Sequence, residues 1–244
     1  MTGFPAESTA TSLTGHFRQG TKVAPATPGP ESRADAYRVQ DLTIAALGGA
    51  CGWKVGRAKT DPEPYCAPIP SSRRLESGSA YARPGGVALV EAELAFRLGR
   101  DVPASATLDS SEDYAALIDA VVPALEILET RLEAPAAQDA LWKLADLQMN
   151  GGVVLGEPIP YTGQDLGEVR LSVGGQEAAP VAHPFGAPFE LFCWTVGHVV
   201  RERGGLRRGD VIITGSYCGI VEVGAPQRFV AAFEGFGAVS LDVR

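Results

Sequence analysis

The sequence is poor in the residues that several kinds of functional site require. It contains three histidines, and its four cysteines, Cys51, Cys66, Cys193 and Cys218, include no closely spaced pair. A zinc site built from His and Cys is therefore not expected, and the thiols are expected to be reduced and mostly structural. Any metal ion bound by this chain should have oxygen ligands.

Long apolar runs and basic clusters are also missing. No segment approaches the roughly 18 continuous apolar residues of a membrane span, and the polar start MTGFPAESTATS lacks the layout of a signal peptide. The chain has 21 basic and 29 acidic residues, a net charge of −8, without a local concentration of Lys and Arg. Because proteins that bind nucleic acids show such a concentration, we expect neither a nucleic-acid nor a membrane partner, and a cytoplasmic location.

The length of 244 residues and a hydrophobic fraction of 45% allow a substantial core. Helical spacing of apolar residues after a Ser32 cap predicts one helix in ADAYRVQDLTIAAL, and the same spacing predicts another over residues 189–203. A third helix is predicted from Ser110 to Pro123, and the proline-rich residues 60–79 are expected to form an irregular loop. Most other segments are strand-like, so we predict an α+β fold that is mostly β.

Residues 87–98, VALVEAELAFRL, are the most informative stretch, because two carboxylates interrupt an apolar run. In a strand, alternate side chains share a face, so Glu91 and Glu93 would lie side by side, opposite an apolar face. Like charges placed together on an apolar strand cost free energy unless a cation lies between them. A hard divalent cation would supply that charge. The alternative is a solvated sheet face that happens to be acidic.

Two further ionisable residues occur in apolar settings. Lys54 interrupts the strand-like segment CGWKVG, where a lysine either reaches outward to solvent or forms a cation in a pocket. Glu126 lies in the apolar run ALEIL and is a candidate for a buried acid. His183 and His198 are isolated and are expected to be structural.

Five motifs, taken in order, resemble the fumarylacetoacetate hydrolase superfamily, and within it the 2-keto-4-pentenoate hydratase and 4-oxalocrotonate decarboxylase branch. They are GWKVG, VEAELAFRLGRDVP, PALEILETRL, GLRRGDVIITGS and FVAAFEGFGAVS, and the resemblance runs from about residue 36 to the C-terminus. It implies a mixed, mostly β core of the superfamily type at residues 85–244, which would bind the metal and carry out catalysis. An N-terminal arm and a small α/β region with helices would occupy residues 1–84. A homo-oligomer is expected.

The resemblance also assigns the site. In that family the E-x-E pair and a later Glu bind Mg²⁺ or Mn²⁺, and by position these residues are Glu91, Glu93 and Glu126. The lysine of the family's G-x-K-x-G strand matches Lys54, which is therefore the expected catalytic residue. The family's TGS turn would line the substrate pocket, and its residues here are Thr214, Gly215 and Ser216.

The implied activity is that of a metal-dependent lyase that hydrates or decarboxylates a 2-oxo or 2-hydroxydienoic acid in the catabolism of aromatic or related compounds. The carboxylate and 2-oxo oxygen of this small-molecule substrate would chelate the metal. Lys54 would stabilise developing negative charge or relay a proton. Two alternatives stay open: an acylpyruvate-type hydrolase of C–C bonds with an unusual base, and an oxo-acid-binding protein without turnover.

The sequence departs from the branch's pattern at two positions. Tyr65 stands where an acidic residue is expected, and Leu147 stands where the branch has Asn. Hydrolytic members of the superfamily use a His/Glu pair on a lid before the metal-binding strand. Because this chain has no histidine between His16 and His183, hydrolysis by that mechanism is less expected.

Overall fold

The computed structural model describes residues 4–57, 63–82, 86–134 and 139–244, and within these ranges it contains five α-helices and three β-sheets. The helices are α1 (Ala6–Gln19), α2 (Arg33–Ala46), α3 (Ser111–Ala115), α4 (Ala140–Ala145) and α5 (Pro188–Glu202). The predicted Ser32 cap is confirmed, because its hydroxyl accepts a hydrogen bond from the Asp35 amide and the Asp35 carboxylate accepts one from the Ser32 amide. The helix predicted over residues 189–203 is α5.

The largest sheet has nine strands and carries the E-x-E segment near its middle. Its members are β1 (Ala50–Gly56), β2 (Tyr65–Pro70), β3 (Arg74–Glu76), β5 (Val87–Leu98), β7 (Ile118–Leu128), β8 (Asn150–Leu155), β9 (Ile159–Pro160), β13 (Val211–Ile213) and β14 (Val221–Gly224). The order is β2-β1-β13-β5-β7-β8-β3, with β14 paired to β5 and β9 paired to β7. The pairs β1–β13 and β3–β8 are parallel and the others are antiparallel. The predicted mixed, mostly β, α+β fold is confirmed.

Two smaller sheets complete the fold. The members of the first are β4 (Ser79–Tyr81), β10 (Glu168–Val173), β11 (Ala179–Ala182), β15 (Gln227–Phe233) and β16 (Gly237–Val243), and those of the second are β6 (Val102–Pro103) and β12 (Gly205–Leu206). The main core packs the apolar face of β5 against β10, β15, β16 and α5. Leu94 and Phe96 of β5 are almost fully buried there, as the alternation predicted.

A smaller core joins the helices near the N-terminus to α4. Leu13 of α1, Val39 of α2 and Trp142 of α4 are buried in it. No described helix is long and apolar enough to cross a membrane. The predicted boundary between residues 84 and 85 lies outside the described residues, and the division into 1–84 and 85–244 stays a prediction.

Two local predictions were wrong, and proline explains both. The helix expected to reach Pro123 ends at Ala115, and Pro123 lies inside β7. On the edge of β7 that faces away from β5, pairing with β9 ends at Val121 and pairing with β8 begins at Ala124. A residue without an N–H group therefore fits between the two paired segments. The expected irregular loop at 60–79, whose first residues lie outside the described ranges, forms β2, a 3₁₀ turn at Ser71–Arg73, β3 and the first residue of β4. β2 contains two prolines because it is the edge strand of its sheet.

Candidate metal centre

Three carboxylates come together on adjacent strands. In the antiparallel register of β5 and β7, Glu91 lies directly opposite Glu126, and Glu93 lies two residues further along the same face of β5. One carboxylate oxygen from each residue lies within 4.8 Å of those of the other two. Glu93 and Glu126 are only 2% and 1% exposed, whereas Glu91 is half-buried. The structure therefore places the E-x-E pair in a buried acidic cluster and not on a solvated sheet face.

Lys54 joins this cluster from β1. Its Nζ donates a hydrogen bond to Glu126 Oε1 at 2.6 Å and another to the Gln148 carbonyl oxygen at 3.1 Å. The Lys54 side chain is 13% exposed, so it does not reach outward to solvent. Of the two alternatives for this lysine, the structure shows the cation in a pocket.

The cluster contains more negative than positive charge. Burial raises the pKa of Glu93 well above its usual value, and the nearby carboxylates of Glu126 and Glu91 raise it further. Burial, and after it the carboxylate of Glu126, also raises the pKa of Glu91. Burial by itself would lower the pKa of Lys54, but the attraction and hydrogen bond of Glu126, with help from the other two carboxylates, raise it. One lysine thus faces three acids.

The TGS turn follows β13 and holds one of these acids in place. The Gly215 amide donates a hydrogen bond to Glu93 Oε2 at 2.7 Å. Gly215 has a φ of 125°, and a Cβ atom at this position would lie 3.2 Å from the Phe185 ring, so glycine suits the turn for two reasons. The Ser216 hydroxyl is used within the turn, where it donates to the Gly219 carbonyl oxygen at 3.1 Å.

A pocket of about 320 Å³ opens above the acidic cluster. Six of the seven residues predicted for the site line it: Lys54, Glu91, Glu93, Glu126, Gly215 and Ser216. Thr214 is fully buried outside the lining, and its hydroxyl has no hydrogen-bond partner in the described part of the chain. The substrate-binding role of Thr214 stays a prediction, as do the roles of the other six.

The comparisons with known proteins agree with this architecture. No protein-family model matches the sequence. The 2-keto-4-pentenoate hydratase 1 of Dechloromonas aromatica (strain RCB) is 31% identical over 170 residues, which cover 62% of this chain and 58% of the hydratase. The chain therefore spans less than two thirds of the length of this relative.

Two solved structures share the fold. The 4-oxalocrotonate decarboxylase from Pseudomonas putida G7, complexed with magnesium and adipate, has a TM-score of 0.78 at 19% identity, covering 97% of this chain and 96% of that one. The fumarylpyruvate hydrolase from Pseudomonas aeruginosa, in complex with Mn²⁺ and pyruvate, has a TM-score of 0.56 at 20% identity, covering 78% of this chain and 88% of that one. The predicted family resemblance is confirmed. The chain therefore shares the fold of this decarboxylase and this hydrolase, and a 2-keto-4-pentenoate hydratase is among its sequence relatives.

Several residues around the centre were not predicted from the superfamily motifs. Asn150, at the start of β8, donates from Nδ2 to Glu126 Oε1 at 2.8 Å, so this oxygen accepts from both Asn150 and Lys54. The only sequence signal for Asn150 is its position as a polar residue directly before the apolar run of β8. Tyr65, Gln148, Pro184 and Phe185 also line the pocket. From the sequence, Tyr65 is visible only as a departure from the pattern of the branch.

A second buried charged group supports the segment that ends at Asn150. Arg131 and Asp146 are 2% and 1% exposed and pair through Arg131 Nε and Asp146 Oδ1 at 2.6 Å. Arg131 Nη1 donates to the carbonyl oxygen of Asn150 at 2.7 Å. Between Asp146 and Asn150, the three residues Leu147–Met149 all have positive φ values of 51° to 61°. This left-handed turn is what presents the Gln148 carbonyl oxygen to Lys54.

Proposed function

We propose that this protein is a lyase of the superfamily that hydrates or decarboxylates a 2-oxo or 2-hydroxydienoic acid with the help of a divalent metal ion. The observation that carries the proposal is the convergence of Glu91, Glu93 and Glu126 with Lys54 at the floor of one pocket. The hydratase and decarboxylase names of the similar proteins support it. Because the chain spans only part of its hydratase relative, the activity of the whole protein is part of the proposal.

A divalent cation fits the residues present. Mg²⁺ and Mn²⁺ prefer oxygen ligands, and the cluster offers three carboxylates whose negative charge is only partly offset by Lys54. We assign Glu91, Glu93 and Glu126 as the residues that would hold it. When bound, the ion would polarise the 2-oxo oxygen of the substrate and stabilise negative charge that develops there. The choice between Mg²⁺ and Mn²⁺ is open in this proposal.

Lys54 is the residue that we assign to charge stabilisation and proton transfer. An ammonium group has three N–H donors, and two of them are used by Glu126 and the Gln148 carbonyl oxygen. The third is available to a substrate in the pocket. Because its acidic neighbours favour the charged form, Lys54 at neutral pH would bind an anionic substrate oxygen and act as a proton donor, not as a base.

The hydrolase alternative is not favoured. The similar sequence is that of a hydratase, and the decarboxylase matches the fold better than the fumarylpyruvate hydrolase does, with TM-scores of 0.78 and 0.56. A binding protein without turnover remains the second candidate, since Tyr65 replaces an acid of the branch. The homo-oligomeric state and the cytoplasmic location stay predictions.

The test is to incubate the purified, Mg²⁺-loaded protein with 2-hydroxypenta-2,4-dienoate and, separately, with 4-oxalocrotonate. Loss of substrate absorbance with a mass gain of one water identifies a hydratase, and release of CO₂ from the second compound identifies a decarboxylase. A Glu93→Gln variant is the control for metal dependence. If neither compound reacts while Mg²⁺ is bound, the lyase proposal is wrong; pyruvate and a carboxylic acid as products from an acylpyruvate would establish the hydrolase instead.

A further inference from the structure

The ring of Tyr65 lines the pocket and fills space that a glycine in the neighbouring strand leaves open. Tyr65, the first residue of β2, pairs with Gly56, the last residue of β1. A Cβ atom added to Gly56 would lie 2.8 Å from Tyr65 Cε2 and 3.1 Å from its hydroxyl oxygen. The ring therefore lies directly over Gly56, in space that any other residue type would fill.

The Tyr65 hydroxyl is an uncommitted donor in this pocket. It has no hydrogen-bond partner within the described ranges, and the side chain is half-buried, with one side packed on the small core around α1, α2 and α4. Tyr217, also close to Glu93, differs in this respect, because its hydroxyl donates to the Leu166 carbonyl oxygen at 2.7 Å. A tyrosine hydroxyl that lines a pocket without an internal partner is suited to a ligand.

The charge of Tyr65 also suits an anionic ligand. Burial raises the pKa of Tyr65 above its usual value, so the hydroxyl is neutral and able to donate at neutral pH. An acidic side chain here would add a further negative charge to a pocket that already has Glu91, Glu93 and Glu126. A neutral donor can approach a carboxylate or an enolate oxygen without that repulsion.

We propose that Tyr65 is a substrate-binding residue, whose hydroxyl donates a hydrogen bond to the oxo acid held above the three carboxylates, and that Gly56 leaves the space that its ring occupies. This inference rests on the proposed function, because it takes the ligand to be a 2-oxo acid. It adds a contact from β2, a strand that supplies none of the assigned metal ligands.

Calorimetric titration with oxalate in the presence of Mg²⁺ tests this, because oxalate has the adjacent oxygens of a 2-oxo acid and does not turn over. Tyr65→Phe should weaken oxalate binding by about three- to tenfold, the usual effect of one lost hydrogen bond. Its Mg²⁺ affinity and thermal unfolding midpoint should stay at the wild-type values. Tyr161→Phe, a partly buried tyrosine that does not line the pocket, is the matched control.

Gly56→Ala provides the second variant. It should weaken oxalate binding at least as much as Tyr65→Phe, because the new methyl group displaces the ring. In the double variant the two effects should be less than additive, since both act through the same hydroxyl. Wild-type oxalate affinity in Tyr65→Phe, or full additivity in the double variant, would overturn the role of Tyr65 and leave the proposed function standing. If the wild type binds Mg²⁺ but no oxalate, both this inference and the proposed function are wrong.

Discussion

Two buried charged groups in the described part of the chain differ in whether their charges balance. Asp146 and Arg131 form a one-to-one pair, and each oxygen of Asp146 accepts a hydrogen bond from Arg131, with Thr130 adding another to Oδ2. The candidate metal centre, in which Glu93 and Glu126 are as deeply buried, opposes three carboxylates with one lysine. Complete internal pairing indicates a structural group, whereas an excess of charge of one sign indicates a place for an added ion.

The largest effect should come from breaking the balanced pair. Asp146→Ala leaves the Arg131 guanidinium buried without its counter-ion, so the free energy of unfolding should fall by about 3–5 kcal/mol. Urea denaturation of the metal-free protein measures it. The control is Glu234→Ala, which removes the exposed pair with Arg170 and should change stability by no more than about 1 kcal/mol. Equal losses in the two variants would remove the contrast between the buried and the exposed pair.

The unbalanced group should respond in the opposite way to loss of an acid. Glu93→Gln removes one of three crowded carboxylates, so the metal-free variant should be at least as stable as the wild type. At a Mg²⁺ concentration 100 times the dissociation constant of the wild type, the ion should raise the free energy of unfolding of the wild type by about 2.7 kcal/mol. At the same concentration it should not stabilise the variant. Glu222→Gln, an exposed acid on β14 beside β5, should retain the full effect. Unchanged Mg²⁺ affinity in Glu93→Gln would contradict its assignment as a ligand.

Lys54 allows a finer test, because its positive charge and a bound metal ion would both neutralise the carboxylate of Glu126. Lys54→Met removes a positive charge held 2.6 Å from Glu126, so Mg²⁺ should bind more tightly, on the order of tenfold, while turnover of the dienoate is lost. Calorimetry and the hydration assay measure the two effects. Lys143→Met on α4, outside the pocket, should change neither. Weaker Mg²⁺ binding in Lys54→Met would show that the lysine supports the metal site instead of competing with it.

The smallest effect concerns a buried group that avoids charge altogether. His183 is 4% exposed next to the TGS turn, and burial lowers its pKa from 6.5 to about 4. The neutral form is therefore favoured in the folded protein, and its contribution to stability is present above pH 6.5 and lost as the pH falls towards about 4. His183→Gln should make the fall in unfolding free energy over this interval shallower than in the wild type. A slope in His183→Gln equal to that of the wild type would contradict the prediction.

Local signals predicted the elements that local chemistry decides. The Ser32 cap and the helical spacing after it needed no knowledge of the rest of the chain, and the same is true of the alternation in β5. Pro123 in β7 could not be predicted, because it is tolerated only where pairing passes from β9 to β8. The insertion of β13 between β1 and β5 depends on partners more than a hundred residues apart, and no local pattern contains that information.

The residues of the site also divide into those that local patterns predict and those that depend on distant contacts. Glu91 and Glu93 followed from strand alternation, while Lys54 and Glu126 needed the family resemblance to be placed beside them. The Gln148 carbonyl oxygen could not be found from the sequence, because Leu147–Met149 form a left-handed turn without a glycine. Tertiary contacts, in particular the hydrogen bonds of Arg131 to the carbonyl oxygens of Asp146 and Asn150, hold this turn against its local preference.

The direct pairing of Glu91 with Glu126 has a consequence for folding. A slip of one residue between β5 and β7 would move Glu126 to the opposite face of the sheet and separate it from Glu91 and Glu93. Chains in a wrong register therefore lack the three-carboxylate cluster, and a metal ion that binds the cluster favours the correct register by mass action. The recovery of Mg²⁺ binding during refolding should thus report when these two strands reach their native alignment, separately from collapse of the apolar core.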